Sequence, residues 1–401
     1  MLRLTALLAM AGCCAAGELH VAVRAGDATR VKTLLEKGAS VNEADSLGGT
    51  ALHEAAWSGD VEMVRLLLDH GADPVARHRE GGSRPLDYAV ITNRIEIVRL
   101  MADRGADLKS RTASGTTLMH VTASRGYVPL VELLLAAGLA ADARDSAGMT
   151  PLAEAAAKGE LAVVRLLLAK GAEARARHPI TGATALHVAA LGGHAEVTRA
   201  LVDAGSEVEA RDHGGSTPLE EALRSQRLTV VEALLDKGAK LKTQSLEEAV
   251  LRGQAGLARV LLARGSPANA RTSSGGTLLH DAALKGHTAI VELLLDHKAD
   301  VHARNSAGGT ALHDAALAGH SQVAELLLAR GARIEDREAE TGATPLHLAA
   351  SWGRKEVVEL LLEKGADPGV RNKAGATALA VALANGHREV TELLRRRGAK
   401  E

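Results

Sequence analysis

Apolar residues recur along this chain at the spacing of short amphipathic helices. In one such segment four apolar positions fall on a single helical face, namely Val61, Val64, Leu67 and Leu68. Glycines flank segments of this kind, and glycine adopts the left-handed conformation that closes a helix. The pattern therefore predicts pairs of short antiparallel helices separated by turns.

The same pattern returns at a fixed spacing. A marker position, most often threonine, falls at residues 17, 50, 84, 117, 150, 184, 217, 244, 277, 310, 344 and 377. Every step is 33 or 34 residues except one of 27, and a glycine stands nine residues after the marker in ten of the twelve units. A second glycine stands 21 residues after it in eleven units, with Lys298 as the exception. Because units this short cannot each bury a core, we expect a linear stack in which each unit covers its neighbour.

Each unit also carries signals for the start of a helix. Four units contain Thr-Pro/Ala-Leu-His in full, beginning at Thr50, Thr184, Thr310 and Thr344. Threonine is a common N-cap, and Pro or Ala suits the first helical position. The polar, glycine-rich stretch between the second glycine and the next marker predicts a turn that projects from the helix pair.

These motifs resemble the ankyrin repeat. Residues 344–350 read Thr-Pro-Leu-His-Leu-Ala-Ala, and residues 356–367 read Glu-Val-Val-Glu-Leu-Leu-Leu-Glu-Lys-Gly-Ala-Asp, like the two helices and loop of that family. The resemblance covers residues 17–401. It implies an all-α solenoid of twelve stacked helix-turn-helix units with short β-hairpin fingers, whose inner helices and fingers form a concave binding surface.

One connection breaks the regularity. Near residues 239–245 the chain is six residues shorter than at the equivalent places, so a finger is expected to be missing. The units on either side carry Glu220 and Glu247 in place of the motif histidine. We therefore predict two subarrays, with repeats 1–7 over residues 17–243 and repeats 8–12 over residues 244–401.

The first sixteen residues differ from the repeats and contain both cysteines. Arg3 precedes an apolar run over residues 4–11, and small residues follow, which is typical of an export signal peptide spanning residues 1–16. This predicts a periplasmic or secreted protein. The four residues ending at Cys13 resemble a bacterial lipoprotein box, so a lipid tether at Cys13 is one alternative. A retained helical cap on a cytoplasmic protein is another.

Composition narrows the range of partners. The chain has 48 basic and 49 acidic side chains, no Phe, and only two Trp and two Tyr. A general nucleic-acid binder is expected to show a basic stripe and aromatic stacking platforms, and neither stands out. No later segment has the roughly eighteen uninterrupted apolar residues of a membrane span. We expect protein partners, with no nucleic acid and no cofactor.

No catalytic motif stands out. The chain lacks a phosphate-binding loop ending in Lys-Ser/Thr, a His-Glu-x-x-His and a Gly-x-Ser-x-Gly, so we expect that it is not an enzyme. Seven histidines share one repeat position: His20, His53, His120, His187, His280, His313 and His347. Stacked helices lie about 8 to 10 Å apart, whereas ligands of one zinc ion each approach to roughly 2.1 Å. Instead of holding a metal, each imidazole is expected to bridge its own threonine hydroxyl and nearby backbone, as the resemblance implies.

Arginine stands six residues after the second glycine in nine units: Arg77, Arg111, Arg144, Arg177, Arg211, Arg271, Arg304, Arg337 and Arg371. Such an arginine ladder along the fingers could grip an acidic protein tail or another polyanion. The interpretation that we favour is structural, with the arginines paired to acids just beyond them, namely Asp145, Asp212 and Glu338.

For partner contact we select the positions seven and eight residues after the marker, at the concave end of each inner helix. They are Trp57, Ser58, Ser124, Arg125, Leu191, Leu284, Lys285, Leu317, Ser351 and Trp352. An exposed Trp is a typical interface anchor, but it can equally cover a neighbouring helix. The sequence thus predicts a non-enzymatic protein-binding scaffold. The alternatives are an envelope-tethered structural spacer and, less favoured, polyanion binding through the arginine ladder.

Overall fold

The structure is a computed structural model, and it describes residues 17–79, 81–112, 115–242 and 244–400. The predicted signal peptide lies outside the described residues. The contacts divide the chain into two compact units, which follow one another in sequence at Ala239 and Lys240. The first unit contains repeats 1–7 and the second contains repeats 8–12. The domain boundary after residue 243 stays a prediction.

The first unit is a stack of helix pairs, each with one inner and one outer helix. The inner helices are α1 (Glu18–Arg24), α3 (Ala51–Ser58), α5 (Pro85–Ile91), α7 (Leu118–Ser124), α9 (Pro151–Lys158), α11 (Ala185–Gly192) and α13 (Pro218–Arg224). The outer helices are α2 (Ala28–Glu36), α4 (Val61–Asp69), α6 (Ile95–Asp103), α8 (Val128–Ala136), α10 (Leu161–Ala169), α12 (Ala195–Asp203) and α14 (Leu228–Asp236). Inner helices pack on inner helices and outer on outer from one repeat to the next, which confirms the predicted solenoid.

The second unit is built in the same way. Its inner helices are α15 (Ser245–Leu251), α17 (Leu278–Lys285), α19 (Ala311–Ala318), α21 (Pro345–Ser351) and α23 (Ala378–Ala384). Its outer helices are α16 (Ala255–Ala263), α18 (Thr288–Asp296), α20 (Ser321–Ala329), α22 (Lys355–Glu363) and α24 (Arg388–Arg396). The core of both units consists mainly of buried Leu, Val and Ala, because thin layers of short helices leave room for small side chains only.

The residues predicted to start and stop the helices do so. Thr50 is the N-cap of α3 with extended backbone, and Gly59 closes the helix with a φ of 84°. Within the described residues three non-glycine side chains have positive φ, namely Asn93, Gln226 and Lys298. These three stand at the places where the two glycine series are interrupted. The left-handed turn is therefore kept even where glycine is replaced.

Glycine at the end of an inner helix also makes room for the next repeat. A Cβ added at Gly59 would lie 2.4 Å from Nε of Arg94, which crosses at this point. Arg94 Nη2 donates to the carbonyl oxygen of Ser58 at 3.2 Å. Equivalent bonds reach the ends of other inner helices from His194, Arg227, His320, Arg354 and His387. In these six cases the residue before the outer helix thus caps the inner helix of the preceding repeat.

The row of motif histidines joins successive repeats. In repeat 10 the backbone N–H of Thr310 donates to Nδ1 of His313 at 3.1 Å, and the Thr310 hydroxyl lies 3.0 Å from the same nitrogen. Because Nδ1 accepts from an amide, the ring proton is on Nε2, which donates to the carbonyl oxygen of Ala343 in the next repeat at 3.3 Å. The same arrangement recurs at His53, His120, His187, His280 and His347. The predicted bridging role is confirmed.

Burial favours the neutral form of these histidines. Loss of water contact is the main reason that the pKa of His53 is lowered to about 4. Burial also lowers the pKa of His187, His280, His313 and His347. A protonated ring would lose the acceptor at Nδ1, so the neutral state is the one that holds the repeats together.

The first member of the row is incomplete. His20 Nε2 reaches the carbonyl oxygen of Gly49 at 3.1 Å, as in the other repeats. Gly17 takes the place of threonine in this repeat, and Nδ1 of His20 is buried without a hydrogen-bond partner. A motif histidine can therefore bond to the next repeat through Nε2 even where Nδ1 does not cap its own helix.

The projecting turns are shorter than extended hairpins. Isolated antiparallel bridges close five of them, between Ala44 and Thr50, Arg111 and Thr117, Arg177 and Thr184, Arg271 and Thr277, and Arg371 and Thr377. At the short connection the described residues 239–242 have no bridge, and the next helix begins at Ser245. These five fingers are thus turns that are each closed by one bridge.

The arginine ladder binds main-chain oxygens. Arg144 Nη1 donates to the carbonyl oxygen of Gly148 in its own turn at 3.1 Å and to that of Arg177 in the next turn at 2.9 Å. Arg111, Arg177, Arg271, Arg304 and Arg337 make the same two bonds. The expected pairing with acids is wrong, since those acids accept from local groups: Asp145 from Met149 N, Asp212 from Ser216 N and Glu338 from Thr341 Oγ1. The arginines therefore have the structural role that we favoured, but they bind main-chain carbonyl oxygens instead of acids.

Candidate binding surface

The ten residues selected for partner contact lie at the C-terminal ends of inner helices. Eight of them are in the last turn of an inner helix, and Arg125 and Trp352 are C-caps. The main-chain carbonyls here are used by the next repeat, as described for Ser58, and equally for Leu191, Leu284, Leu317 and Ser351. Their side chains are left to form the face of each unit. Main chain and side chain thus have separate tasks at these positions.

The two tryptophans have different surroundings. Trp57 is half-buried, and its ring meets Tyr88 of the next repeat edge to face at a centroid distance of 5.7 Å and an interplanar angle of 79°. Tyr88 in turn contacts the ring of His53 at 5.6 Å. Trp352 is 54 % exposed. Trp57 therefore covers a neighbouring helix, whereas Trp352 presents an apolar surface to solvent.

Burial and nearby carboxylates raise the pKa of Tyr88. Loss of water contact is the largest cause, and Asp45, Asp87 and Glu54 add to it. Two of these acids are paired, Asp87 with Arg84 at 2.7 Å and Glu54 with Arg24 at 3.4 Å. The aromatic cluster around Trp57 thus acts as packing between repeats 2 and 3.

Leucines also leave apolar area exposed on the candidate surface. Leu191 of the first unit is 50 % exposed, and Leu284 of the second unit is 40 % exposed. Leu317 is partly exposed at the same register. Leu251 is 41 % exposed at that register in repeat 8, and the sequence-based selection missed it. Its place seven residues after marker 244 was the available signal.

Acids one helical turn before these leucines were also missed. The second unit has Glu248, Asp281 and Asp314 four residues after consecutive markers. Asp281 is buried and accepts from the hydroxyl of Ser274 at 2.7 Å. Burial is the main reason that the pKa of Asp314 is raised to about 7, with contributions from the charges of Glu338 and Asp281 and an opposing hydrogen bond from Asn305.

These acids have no cationic partner in the part of the chain that the structure describes. Among the described residues, neither Asp281 nor Asp314 forms an ion pair. Asp336 on a finger differs from these acids, because it forms an ion pair with Arg304 at 3.3 Å. Carboxylates held under the fingers without a countercharge favour an incoming cation.

The described residues contain neither a candidate metal site nor a helix that could span a membrane. Over residues 17–400, apart from the four positions that the structure does not describe, no three His, Cys, Asp or Glu side chains come close enough together to hold one metal ion. None of the described helices is long and apolar enough to cross a membrane.

Stacked helix pairs with linking histidines and an open face define a class of repeat protein. The family model described as "Ankyrin repeats (3 copies)" matches residues 19–112, 105–178, 173–245, 246–338 and 335–400. The chain belongs to the ankyrin repeat family. Ankyrin repeats are generally protein–protein interaction scaffolds, and proteins of this family are generally non-catalytic. A comparison with curated proteins found no match.

Proposed function

We propose that this protein is a non-enzymatic scaffold that binds other proteins through the face formed by the ends of its inner helices and its fingers. The observation that supports this most is the separation of tasks on that face. Main-chain carbonyls there bond to the next repeat, while large apolar side chains such as Leu191, Leu284 and Trp352 stay exposed. Exposed apolar groups on a well-held backbone are typical of interface anchors.

The arginine ladder supports the scaffold over polyanion binding. Guanidinium donors of Arg144, Arg177 and Arg304 are used for main-chain carbonyls on two successive turns. Donors used in this way are less available for phosphate or carboxylate groups of a ligand. Weak salt dependence of partner binding is the expected result, and a steep dependence removed by charge reversal at Arg211 would favour the alternative.

A site-specific photocrosslinker tests the proposed face. It is placed at Ser58 and at Lys285 on the ends of two inner helices, and at Glu62 and Arg388 on two outer helices as matched exposed controls. We expect the same protein partner to be crosslinked from one or both inner-helix positions and from neither control. Partners crosslinked only from the outer helices would overturn the proposal. The variant Trp352→Ala is expected to weaken the crosslink in the second unit.

We further propose that the protein is exported, with residues 1–16 as the signal peptide. Its support is the Arg3 and apolar run in the sequence, and this segment lies outside the described residues. The alternative is a lipid tether at Cys13, which would make the solenoid an envelope spacer as well as a scaffold. The mass of the mature chain separates these: a start after residue 16, a lipid on Cys13 that Cys13→Ala abolishes, or an intact N-terminus that would refute export.

A further inference from the structure

Repeats 8, 9 and 10 share a sequence pattern that no other three consecutive repeats have. Each carries an acid four residues after its marker and a leucine seven residues after it. We call this surface the leucine–acid row, and its members are Glu248, Leu251, Asp281, Leu284, Asp314 and Leu317. All six lie on consecutive inner helices of the second unit, so the row belongs to one compact body.

The leucines of the row leave apolar area uncovered. Leu251 and Leu284 are 41 % and 40 % exposed, and Leu317 is partly exposed. Their main-chain carbonyls are held in place by the next repeat where this is seen, with His320 bonded to Leu284 and Arg354 to Leu317. The row is therefore a set of apolar side chains on a fixed backbone.

The acids of the row form no ion pair with other residues that the structure describes. Glu248 is exposed, and Asp314 lies under the fingers beside Glu338. Arg252 and Lys285 follow two of the leucines, yet within the described residues neither forms an ion pair with these acids. A cation supplied from outside would favour the ionised form of Asp314, which burial otherwise disfavours.

The spacing of the row selects the shape of a partner. Stacked helices lie about 8 to 10 Å apart, and seven residues of an α-helix rise about 10.5 Å. A helix lying along the stack thus presents one apolar side chain to each leucine when its own apolar residues recur every seven positions. An extended strand advances about 10 Å in three residues, but residues i and i+3 of a strand point to opposite faces.

The width of the leucine–acid row also fits a partner helix. On each inner helix the acid precedes the leucine by three residues, or about 4.5 Å of helix rise. A partner helix with a diameter of about 10 Å covers both positions, and it can place apolar and basic side chains on adjacent faces.

Resting on the proposed scaffold function, we propose that the leucine–acid row binds an amphipathic helix of a partner protein, with apolar residues at seven-residue spacing and Lys or Arg along the edge that faces the fingers. The apolar side chains pack on Leu251, Leu284 and Leu317, and the cations pair with Glu248 and Asp314. This assigns a specific ligand class to the second unit.

Synthetic helices and the full chain test this inference. The probe is a 21-residue peptide with Leu every seven positions and Lys on one flanking edge. The control peptides have the same composition with Leu every six positions, or Glu in place of Lys, and a further control is a polyproline-type peptide with Leu at every third position. We expect the seven-residue basic peptide to bind more tightly than every control. Equal binding of the first two, or preference for the polyproline peptide, would overturn the proposal.

Variants of the row then locate the binding. Leu284→Ala is expected to weaken the basic peptide about tenfold, as follows from loss of the apolar contact of one leucine. The matched control is Leu383→Ala, at a 38 % exposed leucine in repeat 12 outside the row, which should leave affinity unchanged. Glu248→Gln with Asp314→Asn should weaken binding severalfold and flatten its dependence on salt, because charge pairs are screened. Unchanged affinity in both row variants would contradict the assignment.

This inference and the scaffold function fail separately. If no peptide binds while inner-helix crosslinks to a protein partner persist, the ligand class is wrong and the scaffold function stands. If neither crosslinks nor peptides are found at the inner-helix face, both are wrong. Circular dichroism of each variant controls for folding, and Asp314→Asn removes a buried charge with little change of shape.

Discussion

Repeat 10 and the two repeats beside the short connection differ in how they cap the inner helix and bond to the adjoining repeat. In repeat 10 the ring of His313 caps its own helix at Thr310 and donates to the next repeat at Ala343. In repeat 7 the carboxylate of Glu220 accepts from the backbone N–H of Thr217 and so caps its own helix. A carboxylate has no proton to donate to a carbonyl at neutral pH.

Repeat 8 reverses the direction of the link. Glu247 accepts from both the backbone N–H and the hydroxyl of Ser273 in the finger of repeat 9, at 3.1 and 2.9 Å. The bond thus runs from repeat 9 to repeat 8, whereas each histidine donates towards the repeat that follows. The comparison shows that several side chains can cap the helix, while the side chains at this position that donate to the next main chain are imidazoles in the repeats described above.

The largest effect is expected from removing one histidine that caps and links. His313→Ala leaves the Thr310 N–H and the Ala343 carbonyl without these partners, and the free energy of unfolding should fall by about 3 kcal/mol. Glu220→Ala removes a cap that only accepts, and the loss of this cap should cost about 1 kcal/mol. Urea unfolding followed by circular dichroism measures both, with hydrogen exchange of the affected repeats. Equal losses would show that the link to the next repeat adds nothing.

The second prediction concerns pH. The pKa of His53 is lowered to about 4, and burial lowers it for four further motif histidines. A lowered pKa means that the unfolded chain takes up protons first, so this stability is complete above pH 6.5 and is lost as the pH falls towards 4. The pKa of Asp314 is raised, so this single group has the opposite effect: its contribution to stability increases as the pH falls.

The urea midpoint is therefore expected to fall between pH 6.5 and pH 4, and it should fall less in His53→Gln. Glu220 and Glu247 replace the histidine in repeats 7 and 8, so hydrogen exchange in those repeats should respond less than in repeat 10. A midpoint that stays constant over this range would contradict the neutral-ring interpretation.

The smallest effect is expected at the first repeat. Gly17→Thr supplies the missing hydroxyl for Nδ1 of His20, and the φ of −59° at this position is open to any residue. A Cβ there meets only the flexible carboxylate of Glu43, at 3.2 Å. The gain should be about 1 kcal/mol, typical of an N-cap. Gly17→Ala is the control, and an equal gain from Ala would assign the effect to the unfolded backbone instead.

Most of the fold was predictable because its signals are local and repeated. Thr50 marks a helix start and Gly59 marks a helix end. Because the sequence is periodic, the interpretation of one repeat applies to the others. The role of the histidines was expected from the resemblance to the ankyrin repeat. The structure added that Asn93 and Gln226 keep the left-handed turn without glycine, which the sequence pattern alone did not indicate.

What the sequence did not indicate depends on main-chain atoms. The arginines were expected to bind acids such as Asp145, yet they bind carbonyl oxygens, which every residue type carries and which leave no mark in a sequence. The different surroundings of Trp57 and Trp352 likewise depend on which side chain the next repeat supplies at the contact. Leu251 was predictable from its register alone.

The motif histidines and the ladder arginines both donate hydrogen bonds to main-chain carbonyl oxygens of the adjoining repeat. An adjoining repeat therefore needs no particular side chain to form these bonds. A gene segment encoding one such period can then be copied, lost or exchanged, and the new junction is held at once by the bonds that Arg144 and His313 already illustrate. Surface residues are free to diverge after such an event. The same chemistry that orders the stack makes its length easy to change in evolution.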